Sequence, residues 1–207
     1  MNNSEIRARA RKMLGNSIFS ETWLMYGLVS LISGAALGAA SSIIPGIGGL
    51  IIAGPVFFAL TGYFLRLYRG EQKVRLERLI DGFKTNVTRN LLLGLLQSLF
   101  IFLWSLLFVI PGIIKAYSYS MSYYIANDHP EYTWQQCLEE SSKMMMGRKL
   151  DLFMLHLSFI GWIIVAALTC GIGSFWVFPY MQSATEIFYE SIKQPEAANQ
   201  TYNTQSL

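Results

Sequence analysis

Three runs of this sequence contain no Asp, Glu, Lys or Arg: Thr22 to Leu65, Asn90 to Ile114 and Leu152 to Thr185. Each exceeds the roughly 20 apolar residues that cross a hydrocarbon core. Backbone amides have no water to bond there, so such runs must satisfy their N–H and C=O groups internally, as helices. A single helix over residues 22–65 would reach roughly 66 Å, twice the core thickness, so the first run has to fold back on itself. Only 14% of the residues are charged and 53% are apolar, against about 25% charged in an ordinary soluble domain.

The punctuation inside the runs places the reversals. Pro45-Gly46-Ile47-Gly48-Gly49 and Pro111-Gly112-Ile113 combine a missing amide donor with residues that accept left-handed backbone, and Cys170-Gly171-Ile172-Gly173 offers two such glycines. They predict spans near Thr22–Ile44, Leu50–Tyr68, Leu91–Ile110, Ile113–Ala126, Leu150–Thr169 and Ser174–Ser191. The expected architecture is therefore all-α and polytopic, with six spans in three hairpins. The fourth span is the shortest and contains Lys115.

Polar segments with helical periodicity lie between the hairpins. Leu76, Leu79, Ile80 and Phe83 recur at i, i+3, i+4 and i+7, and Trp134, Cys137, Leu138 and Met145 form a second stripe behind a capping box at Thr133 and Gln136. Ile6, Ala10 and Met13 form a third stripe. These read as amphipathic helices lying on the cytoplasmic face with their apolar sides in the headgroup layer. Gly15, Gly82 and Gly147 close them at a similar period to the turn glycines, which predicts three related units over 1–70, 71–130 and 131–193 in one membrane domain. The polar residues 194–207 predict a disordered tail.

Lys and Arg are strongly biased, with all but Lys115 lying before the first span, in the segments between hairpins, or after the last. The positive-inside rule then puts both termini in the cytoplasm of a cell-membrane protein. Arg7, Arg9, Arg11 and Lys12 before an apolar stretch resemble the start of a signal peptide, but the stretch is longer than a secretory h-region, so a retained span is expected. A net charge of +3 does not make the dense basic face that nucleic acid requires. Cys137 and Cys170 lack the spacing of a redox or zinc pair.

Several constellations are candidates for function. Ser30, Gly34, Gly38 and Ser42 repeat every four residues, the pattern that lets membrane helices approach closely. His156 and Glu186 flank the last turn at matching distances, so a hairpin would bring them to one depth, as a proton relay or as a structural bond. Lys115 shares a helical face with Ser118, Tyr119 and Ser122, and Tyr123 follows; this polar stripe suits either a solute path or an interfacial anchor. Arg75 and Arg78 are the basic residues expected to meet anionic lipid. Walker A, H-E-x-x-H and G-x-S-x-G patterns are absent, and Glu139-Glu140 lacks the accompanying residues of membrane-embedded proteases. No catalytic residue, metal ligand or cofactor is expected.

The run Ile110 to Met121, the segment Glu139 to Gly147, Leu157 to Trp162, Gly171-Ile172-Gly173 and Trp176 to Met181 together resemble the domain-of-unknown-function 975 family of multi-span proteins, found mostly in Gram-positive bacteria. The resemblance covers nearly the whole chain. It implies a bacterial cytoplasmic-membrane protein with no assigned reaction. A more distant similarity is to the membrane portion attached to some glycerophosphodiester phosphodiesterases, whose catalytic domain has no counterpart here, so no functional residue carries over. The expected role is a non-catalytic accessory or scaffold factor that binds lipid, anionic lipid included, a membrane partner or a second copy of itself. A small transporter or channel for a solute, ion or peptide is the alternative.

Overall fold

The computed structural model of the chain describes residues 3–15, 19–43, 48–71, 76–169 and 171–205, and their side chains apart from those of 77 and 194–205. Every regular element among the described residues is helical: α1 (Asn3–Leu14), α2 (Glu21–Ile43), α3 (Gly48–Tyr68), a 3-10 turn at Leu76–Ile80, α4 (Asp81–Lys84), α5 (Val87–Leu107), α6 (Val109–Ser118), α7 (Ser122–Asp128), α8 (Trp134–Met144), α9 (Lys149–Leu157), α10 (Ile160–Leu168) and α11 (Ser174–Gln205). Four stretches are long and apolar enough to cross a membrane: α2, α3, α5 and the almost continuous pair α9 and α10. The fourth and sixth spans expected from sequence are not among them. The fourth breaks at residues 119–121 into α6 and α7, and the sixth begins α11, which goes on to carry Glu186, Glu190 and Lys193.

α3 is the hub. Protein buries 61% of its most apolar stretch, against 17% to 22% for the other three, and it packs on α2, α4, α5, α7 and α11. Its contact with α5 is made backbone to backbone. A Cβ on Gly54 would overlap the Asn90 carbonyl, and one on Gly94 would overlap the Gly54 backbone. Close approach of this kind is what holds helices together where no hydrophobic drive acts between them, as in lipid. Against α2, the rings of Tyr63 and Phe64 pack edge-on to Tyr26 at 5.8 and 4.4 Å, while Gly49 sits under Ser41, so the two helices run antiparallel.

The expected small-residue seam on α2 is corrected by this arrangement. Gly34 and Gly38 face open space. Ser30 and Ser42 bond backward to the carbonyls of Tyr26 and Gly38 in their own helix. The close seam is at Gly54 and Gly94 because that is where α3 meets a helix on its other side.

One turn assignment changes as well. Pro111 and Gly112 lie inside α6, and the chain breaks earlier, at Phe108, whose backbone is extended (φ −157°, ψ 144°). Proline suits the first turn of a helix, where its missing N–H would have no partner. Gly112 instead lets α6 fold tightly onto Ser105 of α5. Gly171 does adopt left-handed backbone (φ +87°), and the Gly173 N–H donates to Thr169 Oγ1. Pro45 and Gly46 lie outside the described residues, as do Arg75 and Cys170.

The amphipathic segments are used differently from expectation. α1 buries Ile6, Ala10 and Leu14, because i, i+4, i+8 is the face turned to α11, and Met13 is partly buried against the same core. α8 opens with the expected capping box, Gln136 N–H donating to Thr133 Oγ1 and Thr133 N–H to Gln136 Oε1, and it buries Cys137, Leu138, Ser141 and Met144. Both apolar faces are covered by protein. The Leu76 to Phe83 stripe is split between the 3-10 turn and α4, which turns Leu76 and Leu79 toward the core and leaves Ile80 and Phe83 exposed. At the C-terminal end, helix continues to Gln205 where composition predicted a disordered tail. Glu196, Ala197, Ala198 and Gln200 are good helix formers, so local propensity accounts for it.

Because α3 and α5 touch through backbone, Gly54→Ala or Gly94→Ala should lower stability by about 1–3 kcal/mol through overpacking. Gly34→Ala should stay within about 0.5 kcal/mol of the parent. Denaturant titration of the detergent-solubilised protein reads both.

Candidate functional site

Lys115 projects from α6 over two rings, with Nζ 5.2 Å from the Trp104 centroid and 5.6 Å from that of Tyr119. This cation–π cradle holds an ammonium group in an apolar setting. Tyr119 rests against Phe100 and Tyr123 against Phe57. The polar side chains along the same face close the break between α6 and α7. Gln97 Nε2 donates to the Tyr119 carbonyl at 3.3 Å, and its Oε1 accepts from Ser122 Oγ at 2.7 Å. Ser141 Oγ donates to the Ser118 carbonyl at 2.8 Å and accepts from the Met121 N–H at 3.1 Å. An interrupted helix buried among others needs such partners for its freed backbone groups.

His156 and Glu186 make no bond to each other. His156 Nδ1 lies 3.3 Å from Tyr117 Oη, and Nε2 lies 3.1 Å from Thr185 Oγ1. Thr185 is one residue from Glu186, and a helix turns by about 100° per residue, so the carboxyl group points away from the imidazole into the core. There Glu186 is fully buried, and among the described residues neither of its oxygens has a hydrogen-bond partner; Tyr26 Oη and Ser183 Oγ share that condition.

A larger feature is apolar. A groove of about 860 Å³ runs between α2, α3 and the start of α11, walled by Leu31, Leu37, Phe57, Phe175 and Phe178. Ser30 and Gly34 line it, which is where half of the small-residue stripe goes. Small side chains on α2 keep the groove wide, and its volume falls in the range of small-molecule sites.

Charge gathers at the C-terminal end of α3 in two places that sequence reading did not assemble. Arg66 Nη1 and Arg78 Nη1 lie 3.4 and 3.5 Å from the same Asp81 oxygen, beside a cavity of about 220 Å³. Nearby, Arg69 Nη2 is 2.7 Å from Asp128 and 2.8 Å from Glu190, while Lys193 and Tyr189 Oη donate to the other Asp128 oxygen. This cluster ties the end of α3 to α7 and α11. Burial would push the Asp128 carboxyl up, but the bonds from Lys193, Tyr189 and Arg69 outweigh it and hold the group below the usual carboxylate range. Only Arg78 was singled out from sequence; Arg66, Arg69, Asp81, Asp128, Glu190 and Lys193 carried no local signal that they would meet.

Other polar residues have structural surroundings. Glu140 pairs with Lys143 on the surface of α8 at 2.7 Å. Burial pushes the Cys137 thiol up to about 11, which leaves it unreactive near neutral pH. Among the described residues no group of three or more His, Cys, Asp or Glu is placed to hold a metal ion.

The family model described as "Protein of unknown function (DUF975)" matches residues 1–118 and again 106–196. No curated protein and no solved structure matches the chain.

The Asp128 cluster sets a pH dependence of stability. Its folded pKa is depressed, so its contribution is complete above the unfolded value of about 3.9 and is lost as pH falls through the lower folded value. Thermal unfolding in detergent should therefore show a stability loss below about pH 4 that Asp128→Asn flattens. The variant should also be less stable than the parent at neutral pH.

Proposed function

This chain belongs to the DUF975 family, and we propose that it is a non-catalytic accessory protein of the bacterial cytoplasmic membrane that works by binding lipid. The reading takes the six apolar segments as three hairpins, α6 with α7 and the first half of α11 completing the crossings, with both termini in the cytoplasm on the strength of the Lys and Arg bias. Shortness of the fourth crossing is accommodated by local thinning or by burial within the bundle.

One observation carries this reading: the apolar groove between α2, α3 and α11. In a bilayer the surrounding solvent is acyl chain, and a concave apolar surface of this size is filled by whatever apolar chain fits its shape. A helix from another protein would gain no hydrophobic advantage over lipid there. The remaining outward faces of α2, α5 and α10 are rich in large apolar side chains, including Ile32, Leu103, Leu106, Ile164 and Leu168, as a lipid-exposed surface requires.

A transporter is the second reading, and the buried Glu186 beside Tyr26 and Ser183 favours it. Intramembrane carboxyl groups often serve ion or proton pathways.

Two measurements separate these readings. Native mass spectrometry after mild-detergent extraction should find phospholipid retained on the parent and reduced severalfold on Gly34→Trp, whose ring would occupy the groove. A parent that emerges bare of lipid removes the leading reading. In proteoliposomes, flux in the parent that disappears in Glu186→Gln would favour the transporter, and no flux in the parent dismisses it.

A further inference from the structure

Arg66 and Arg78 both approach one oxygen of the Asp81 carboxylate, so the small cavity at the end of α3 carries an excess of positive charge. Their distances to Asp81, 3.4 and 3.5 Å, are at the long limit for hydrogen bonds. A guanidinium has five N–H donors in a planar fork, and among the described residues each of these two spends its donors only on Asp81. Both side chains are reachable, 38% and 49% exposed. Thr85 adds a hydroxyl to the lining, and Phe58, Ala59 and Tyr63 give an apolar wall.

Position supplies the rest. Arg66 is the first charged residue after the uncharged run that ends at Leu65, so the cavity lies where an apolar helix gives way to charge. That is headgroup level for a spanning α3. The segment that brings Arg78 and Asp81 also carries Ile80 and Phe83, 49% and 42% exposed. Basic groups flanked by exposed apolar side chains are the mark of an interfacial lipid contact.

We propose that Arg66 and Arg78 form a binding site for the phosphate ester of an anionic phospholipid headgroup. The assignment rests on the lipid-binding reading above and gives it a headgroup class. Two guanidinium forks match the oxygens of a phosphodiester, and Asp81 holds them in place when the site is empty.

The test uses the full chain, delipidated in detergent and titrated with phosphatidylglycerol or phosphatidylcholine, with bound lipid read by native mass spectrometry. The parent should prefer phosphatidylglycerol by about tenfold, the worth of one charge-assisted hydrogen bond, and the double variant Arg66→Gln, Arg78→Gln should lose that preference. Asp81→Asn frees both forks and should raise phosphatidylglycerol binding, a gain that misfolding does not mimic. A folded double variant with its preference intact overturns the site, and so does an Asp81→Asn protein without the gain. Soluble glycerol phosphate that displaces phosphatidylglycerol at equal concentration would support the phosphate site and move its ligand to the aqueous phase; no displacement supports the lipid. Loss of preference for phosphatidylglycerol must leave groove-bound phosphatidylcholine, sensitive to Gly34→Trp, unchanged. If the site fails while that lipid remains, the groove reading stands; if the parent binds neither lipid, both fall.

Discussion

The backbone contact between Gly54 and Gly94 places almost everything else at one end of this molecule. Because α5 can lie directly on α3, Asn90 is brought over the preceding turn, where its Nδ2 donates to the carbonyls of Gly82 and Thr85 at 3.0 and 2.8 Å. Gly82 itself has room only for hydrogen, since a Cβ there would overlap the Pro55 carbonyl. Next to Asn90, Arg89 reaches the His129 and Pro130 carbonyls at 3.2 and 3.1 Å while lying over the Phe58 ring at 5.2 Å. The segment carrying Arg78 and Asp81 is thus pinned to α3 and α5 by three glycine-scale approaches and a set of amide bonds. None of it would register if the helices stood a normal side chain apart.

The need to satisfy backbone amides explains why the helices were legible in sequence and why their interruptions were not. Long uncharged runs admit only helix in hydrocarbon, and α2, α3 and α5 begin and end within a few residues of where those runs and their punctuation place them. The capping box at Thr133 and Gln136 and the left-handed backbone of Gly171 are equally local, and each was readable; Gly15 and Gly147 follow the ends of α1 and α8, whereas Gly82, expected to close a helix, lies inside α4. By contrast the break at residues 119–121 depends on Gln97 and Ser141, which bond it from 22 and 20 residues away on either side. No short-range pattern announces a helix that can be interrupted because others supply its missing bonds.

Small residues show the same limit from the other direction. Ser30, Gly34, Gly38 and Ser42 have the better spacing, yet the seam forms at Gly54 and Gly94, which belong to different helices and share no pattern. Spacing reports that a face is able to accept a close neighbour; which neighbour arrives is set by topology. His156 and Glu186 lie on α9 and α11, but a one-residue difference in register directs His156 to Thr185 and leaves Glu186 in the core. The charged groups at the end of α3 were invisible as sites because Arg69, Asp128 and Glu190 are distant in sequence.

The fate of the amphipathic segments narrows what can meet a membrane surface. Sequence offered three such faces, and two are occupied by protein: α1 lies on α11, with Tyr180 Oη donating to the Arg7 carbonyl, and α8 lies on α5 and α7. A helix whose apolar side is already buried has only its polar side left for headgroups, and that contact is weak and screened by salt. The 76–84 segment is different because it keeps Ile80 and Phe83 outward while its polar groups converge with Arg66 on one cavity. Under the proposed lipid reading, apolar insertion and charge would act at the same place, and two signals together hold a membrane surface where one alone is marginal. If lipid chemistry is read by this chain, the end of α3 is where its geometry allows the reading.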